Sequence, residues 1–273
     1  MTDQGILARD SVARRINRES VLLLGGTAAL LLQVAHPLVA AGVDRHSDFR
    51  RDPFGRLLRT LNTTLAIVFG TTAEARAGLR RIDRRHAGIR GAAADGRPYA
   101  ANDPALLVWV QATLVLTSLR LYELVLGRLT DADRDAYWQE ARFLAKELGA
   151  TDAALPPTYA AVLRYEREML EHEVVPDATS FAVARAVLRP FPWLPSCATW
   201  PLEALTAGLL PPAIRAALGL PWRRRERLGF RFIVVALRRL IPMTPRWIRV
   251  VPQARAQEAR TSSAIRSRHP GSS

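Results

Sequence analysis

VLLLGGTAALLLQVAHPLVAAGV, residues 21–43, runs for 23 positions without a formal charge. It is long enough to cross a bilayer. Yet Gly25-Gly26, Gln33 and His36-Pro37 interrupt it, and a residue before proline avoids the helical region. The stretch therefore reads as a buried helix that ends or kinks near His36, with a membrane span as the alternative. A chain that must hide such a segment needs a sizeable core around it. The rest of the sequence supplies one: 273 residues, 49% hydrophobic and 23% charged. That balance excludes a disordered chain and a disulfide-stapled mini-domain. The single cysteine, Cys197, excludes an internal disulfide and a thiolate metal cluster, which fits a reducing, cytoplasmic setting. It lies between Pro195 and Trp200 without a local histidine and is expected to be a buried structural thiol. The first 20 residues lack the layout of a secretory signal.

Outward from that stretch the pattern is helical. Ala, Leu, Arg and Glu dominate, and no β-branched run alternates convincingly in polarity. Helix starts are marked by Asp103-Pro104, by Thr130 with Asp133 three residues on, by Pro156-Pro157-Thr158, by Asp177 and by Pro211-Pro212. The helix from Thr130 is expected to run to Leu148, closed by Gly149. PFPWLPSCATWP, residues 190–201, reads as an ordered loop. The expected fold class is all-α: a single globular helical domain.

The net charge of +14 is concentrated at one end. Residues 221–273 hold thirteen arginines and two acids, a net of +11, which leaves +3 for residues 1–220. Lys146 is the only lysine, a bias that a high-GC genome produces without any phosphate-binding role. Trp222, Phe230, Phe232 and Trp247 lie among these arginines. That suits an anionic membrane surface, or an amphipathic helix that closes the core with its arginines solvated. No base-reading motif favours a specific nucleic acid. The chain turns polar after about Val251 and is expected to lack structure there.

Motifs exclude several chemistries. There is no Walker A loop, no GxGxxG after a strand, no GxSxG elbow and no HExxH. His269 and His172 are read as inert, and His46 as a weak candidate. His36 ends the most apolar segment and is either a satisfied core residue or a ligand. His86 shares a helix face with Leu79, Ile82 and Ile89, while Arg76, Arg80, Asp83 and Arg84 take the other faces. It is expected to point inward, where an imidazole needs a partner and a metal is one solution. In the helix before it, Arg56 and Thr60 stack at i,i+4, with Thr63, Thr64 and Ile67 nearby and an apolar stripe of Leu57, Leu61, Leu65 and Val68. This suits a pocket for an apolar molecule with an acidic end; the plainer alternative is a half-exposed amphipathic helix.

The order of motifs resembles one family. NRES (17–20), LLLGGTAALLLQVAHPLVAAGVDRHSDFRRDPFGRLLRT (22–60), FG (69–70), RRHAGIRG (84–91), YAANDPALLVWV (99–110), YWQEARFLAKELGA (137–150) and LTAGLLPP (205–212) are together similar to the rubber oxygenase (latex clearing protein) catalytic-domain family. That family includes the fungal oxygenase of the MpaB type. The resemblance covers about residues 14–222. It divides the chain into an N-terminal arm (1–13), a catalytic domain (14–222) and a basic extension (223–273). It implies a globin-like helical core with extra helices, haem b as cofactor and dioxygen as co-substrate. The implied activity is an oxygenase acting on an apolar, isoprenoid or phenolic small molecule. In rubber-cleaving members a histidine is the proximal iron ligand, preceded by Arg, two residues, Lys and Thr. Carried over, the motif falls on Arg56-Leu57-Leu58-Arg59-Thr60 and the ligand on His86, 26 residues after Thr60. Arg56, Arg59 and Thr60 are then the catalytic-site residues, with Arg56 also supporting the cofactor and His36 as the second cofactor-site candidate. Arg59 replaces the family lysine and, always protonated, offers no lone pair to iron. No acid matches the family's catalytic glutamate, and Gln111 stands where many members carry histidine. Rubber cleavage itself is therefore not implied. The competing function is a basic protein that binds a membrane surface without oxygen chemistry.

Overall fold

The computed structural model describes residues 3, 5–46, 53–189 and 193–268, with the side chains at 53, 54, 56–58, 196 and 263–268 outside that description. His269 also lies outside it. The chain is a single all-α domain. Its helices are α1 (Val12–Asn17), α2 (Gly26–Val34), α3 (Pro37–His46), α4 (Pro53–Phe69), α5 (Thr72–Ala87), α6 (Pro104–Val125), α7 (Asp131–Ala141), α8 (Phe143–Glu147), α9 (Tyr159–His172), α10 (Ala178–Leu188), α11 (Ser196–Leu209), α12 (Pro212–Ala217), α13 (Arg224–Leu240), α14 (Arg246–Arg249) and α15 (Pro252–Arg268).

Residues 20–43 form the centre as a broken helix. A short 3-10 turn, Ser20–Gly25, leads into α2, and the chain then bends by 109° into α3. The bend falls at His36-Pro37, where the sequence places it. Leu31, Leu32, Val34 and Ala35 are fully buried. Each buried Leu or Val contributes about 1.5–3 kcal/mol. α6 packs on α2, opened by Asp103, whose carboxylate accepts from the Ala105 N–H at 2.8 Å ahead of Pro104. α6 is also apolar and long enough to cross a bilayer by length and composition, but 67% of its apolar window is buried in the protein. α10 covers the other side of α2 and α3. A neighbouring core forms where α1 and α7 meet α6; there Trp138 is fully buried and donates to the Pro156 carbonyl at 2.7 Å.

Several local expectations meet their structure. Thr130 and Asp133 form a capping box, and Thr158 and Asp177 cap α9 and α10. Others are corrected. The helix from Thr130 breaks at Arg142, between α7 and α8, rather than running to Leu148. A two-stranded hairpin, β1 (Arg90–Ala92) with β2 (Pro98–Ala100), interrupts the helices. Its turn carries Gly96 at φ +84° after Asp95, a dipeptide signal present in the sequence. The 190–201 stretch is a helix from Ser196 onward, with Pro201 inside it. Cys197 on that helix is exposed, not a buried thiol.

The C-terminal end departs most from expectation. From Val251 the chain is not structureless: α15 lies against α4, with Val251 and Ala254 buried beside Leu65 and Phe69. The sequence looks polar there because only one narrow stripe is covered. α13 is likewise integral to the body rather than a separate extension. Its inner residues Phe230, Ile233 and Leu237 pack against the main core, and Val234 on the same face is buried. α11 and α13 interlock through two glycines. A Cβ at Gly208 would overlap the Phe230 ring, and a Cβ at Gly229 would overlap the Trp200 ring. Each helix thus inserts an aromatic ring into a notch in the other.

Gly208→Ala and Gly229→Ala are expected to destabilise the fold by about 1–3 kcal/mol each through overpacking. Thermal unfolding should show this as a loss of about 2–4 °C per kcal/mol. Gly127→Ala makes a poor control because of its φ of +128°, whereas Gly88, at φ −88° with no close neighbour, is expected to tolerate alanine.

Candidate functional site

The 3-10 turn, α2, α4, α6 and the α7–α8 break surround an apolar cavity of about 210 Å³. Leu22, Leu30, Leu61, Leu65, Val68 and Leu114 are among the apolar residues of its wall. The amphipathic pattern of α4 turns Leu61, Thr64, Leu65 and Val68 toward this space. Thr60 stands at the rim, exposed to solvent but lining the cavity. Thr64 turns its hydroxyl back to the Thr60 carbonyl at 3.1 Å, which satisfies it within the helix.

Two carboxylates reach this wall, and both are committed. Glu140 accepts from the N–H groups of Val12 and Ala13 at 3.2 and 2.6 Å, holding the start of α1. A carboxylate is favoured at that positive helix end. Glu19 pairs with the Arg249 guanidinium at 2.8 and 3.4 Å. Two amides are different. Gln33, from the broken central helix, and Gln111, from α6, line the cavity, and neither side-chain amide has a hydrogen-bond partner among the described residues. Each offers a donor and an acceptor to whatever occupies the space. The sequence marks both, Gln33 as a polar break in an apolar run and Gln111 as a departure from the family histidine.

The histidines sit apart from this wall. His86, near the end of α5, is half-buried, and its Nδ1 is shielded from solvent without a hydrogen-bond partner. Burial lowers its pKa below 6.5; Asp83 opposes the shift and Arg85 adds to it. The imidazole is therefore neutral near pH 7 and keeps a lone pair. α5 packs along α4, so His86 and Thr60 lie on adjoining helices, but His86 does not line the cavity. Arg76, Arg80, Arg81, Arg84 and Arg85 on the same helix are all exposed. Arg59 is exposed and outside the cavity wall, and the Arg56 side chain lies outside the described residues. His46 is exposed, its Nε2 3.2 Å from the Arg90 carbonyl oxygen, and His172 is exposed beside Glu171.

His36 is 4% exposed and occupied locally. Its Nδ1 accepts from the Leu38 N–H at 3.2 Å, capping the first turn of α3. A neutral imidazole that accepts at Nδ1 carries its proton on Nε2 and has no second lone pair. This arrangement suits a capping residue, not an iron ligand through Nε2. Burial lowers its pKa, with Arg97 adding to the shift and Glu173 and Asp103 opposing it.

Because the folded state resists protonating His36 while the unfolded chain accepts a proton near pH 6.5, stability is complete above that pH and falls below it. Urea unfolding between pH 7.5 and 5 is expected to show a falling midpoint. In His36→Asn the slope should be shallower, because one such proton uptake is gone.

A family model described as "ER-bound oxygenase mpaB/B'/Rubber oxygenase, catalytic domain" matches residues 13–239. The match includes most of α13, in agreement with its place in the core. The chain is also similar to uncharacterized protein Mb2261 of Mycobacterium bovis and uncharacterized protein Rv2237 of Mycobacterium tuberculosis. Each is 32% identical over 231 residues, covering 79% of this chain and 88% of the relative. No solved structure gives a significant match. With its broken central helix, its apolar cavity and a matched span from α1 to α13, the chain belongs to the mpaB/rubber oxygenase catalytic-domain family.

Proposed function

We propose that this family member is a haem-b-dependent oxygenase that applies dioxygen to an apolar small molecule. The observation that carries the reading is the solvent-shielded, unpartnered Nδ1 of a neutral His86 in an oxygenase-family fold. An orphaned buried nitrogen is costly unless something binds near it. His86 fits the requirement for one axial ligand. Haem iron asks only one side chain of the protein on that face, so the absence of a cluster of three or more metal-ligating residues among the described residues does not bear on it. His36, engaged at Nδ1, does not fit as a ligand.

When bound, haem supplies the oxygen-activating iron; the protein supplies placement and polarity. His86 would hold the iron, and the arginines of α5 offer guanidinium groups for the propionates. The apolar wall would exclude water from the substrate. Gln33 and Gln111 would orient it by a neutral carbonyl, hydroxyl or amide group, so an acidic end is not required. Thr60 would contribute a hydroxyl at the rim. Neither wall carboxylate is free to accept a substrate proton, since Glu140 caps α1 and Glu19 pairs with Arg249. A reaction that needs a carboxylate base in the cavity is therefore disfavoured, which sets this chain apart from rubber cleavage.

Protein purified from haem-supplemented cells is expected to show a Soret band, and His86→Ala is expected to lose it while keeping its far-ultraviolet circular dichroism. A full, unshifted band in folded His86→Ala removes His86 as the ligand. A haem-free wild type after reconstitution removes the cofactor from the proposal.

A further inference from the structure

α13 is apolar on two opposite faces. The inner face, Phe230, Ile233, Val234 and Leu237, closes the core and is fixed in orientation by the Gly208 and Gly229 notches. On the far side of the helix Leu228, Phe232 and Val235 recur at i, i+4 and i+7 and stand 53%, 74% and 55% exposed. The exposed apolar series continues beyond the helix with Met243 at 79% and Trp247 at 66%. Of the four aromatic residues among the C-terminal arginines, Trp222 and Phe230 meet edge to face, with ring centroids 5.7 Å apart. Phe232 and Trp247 are the two that face outward.

The charges sort in the same way. Arg224, Arg227, Arg231 and Arg239 are exposed and have no ion pair among the described residues. Arg225 is drawn over the Trp200 ring at 4.8 Å, and Arg238 donates to the Leu124 carbonyl. The one acid of the helix, Glu226, is buried and accepts from the Arg223 N–H at 2.9 Å. The outer surface is thus an apolar row flanked by unneutralised arginines.

A partner for this surface must offer apolar depth and negative charge together. A second copy offers the depth but opposes arginine to arginine, and like-charge juxtaposition costs several kcal/mol. An anionic bilayer offers both. Phe and Leu enter the acyl boundary, Trp sits at headgroup level, and arginine heads reach lipid phosphates while their stems lie on apolar surface. We propose that the outer face of α13, with Met243 and Trp247, docks the protein onto an anionic lipid bilayer, with α13 lying in the plane of the interface. Only peripheral contact is involved; α13 remains part of the core.

The test is co-sedimentation of the full chain with vesicles of phosphatidylcholine alone or with 30% phosphatidylglycerol (roughly the anionic content that gives a surface potential of tens of mV). Binding is expected to the anionic vesicles, and to weaken on raising salt. Each of Arg224→Gln, Arg227→Gln, Arg231→Gln and Arg239→Gln should cut partitioning by about fivefold, equivalent to about 1 kcal/mol per base. Phe232→Ser should weaken binding further without altering circular dichroism or melting temperature, since the side chain is exposed. Equal recovery with both vesicle types, or no loss on Phe232→Ser combined with Trp247→Ser, overturns the proposal. So does a concentration-dependent dimer, seen by light scattering, that Phe232→Ser abolishes while vesicles bind nothing. All readouts are independent of haem, so they fail or succeed separately from the oxygenase reading.

Discussion

Pro37 denies the preceding residue a helical conformation, and the chain turns by 109° at that point. Without the turn, residues 20–46 would run on as one mostly apolar rod of roughly 40 Å. With it, α2 lies in the centre and α3 leaves at a steep angle, and α6 and α10 can each cover a face of α2. His36 stabilises the turn from inside by accepting the Leu38 N–H, a role that ties its protonation state to the fold. The cavity is a by-product of the same geometry. α4 lies across the opening that the 3-10 turn and α2 leave against α6, and the gap is lined by what those helices carry on their inner faces.

The arginine excess has a different logic. Arginines on α5 and on the outer face of α13 are exposed, whereas those near the chain ends are tied into pairs: Arg15 with Asp133, Arg246 and Arg18 with Glu258, and Arg249 with Glu19. The exposed pairs contribute at most about 1 kcal/mol each, whereas Glu19 is buried in its pair with Arg249, so losing Arg249 would leave a buried charge uncompensated. Their effect is to set register between distant segments, leaving the unpaired set on α13 to define how the surface meets its surroundings.

Much of this was legible in the sequence. The all-α class, the break at His36-Pro37 and the capped starts at Asp103, Thr130, Thr158 and Asp177 follow from local chemistry that the tertiary structure does not override. Thr60, Thr64, Leu61 and Leu65 could be placed on one helix from spacing alone. The losses were tertiary. α15 appeared structureless because Ala254, and Val251 just before the helix, find their buried partners on α4, nearly two hundred positions away. Pro201 disguised α11, whose formation depends on packing against α13. Cys197 was expected inside as a structural thiol without a local histidine, but it is exposed and Trp200 is the residue that turns inward. Gln33 and Gln111 were visible as anomalies, yet only folding shows that they line the same space. His36 was open to either a core or a ligand role, and its hydrogen bond from the Leu38 N–H became visible only in the fold.

The wall of the cavity is stitched across the full length of the chain. Glu19, on its lining, is gripped by Arg249, pairs through its backbone with Val250 in an isolated bridge, and is followed in register by the Val251 N–H donating to the Arg18 carbonyl at 2.9 Å. These contacts join positions about 230 residues apart. During synthesis the N-terminal helices emerge first, with this edge of the chamber unmade. Closure of this edge therefore waits until Arg249–Val251 have been made, and until then the interior is open on that side.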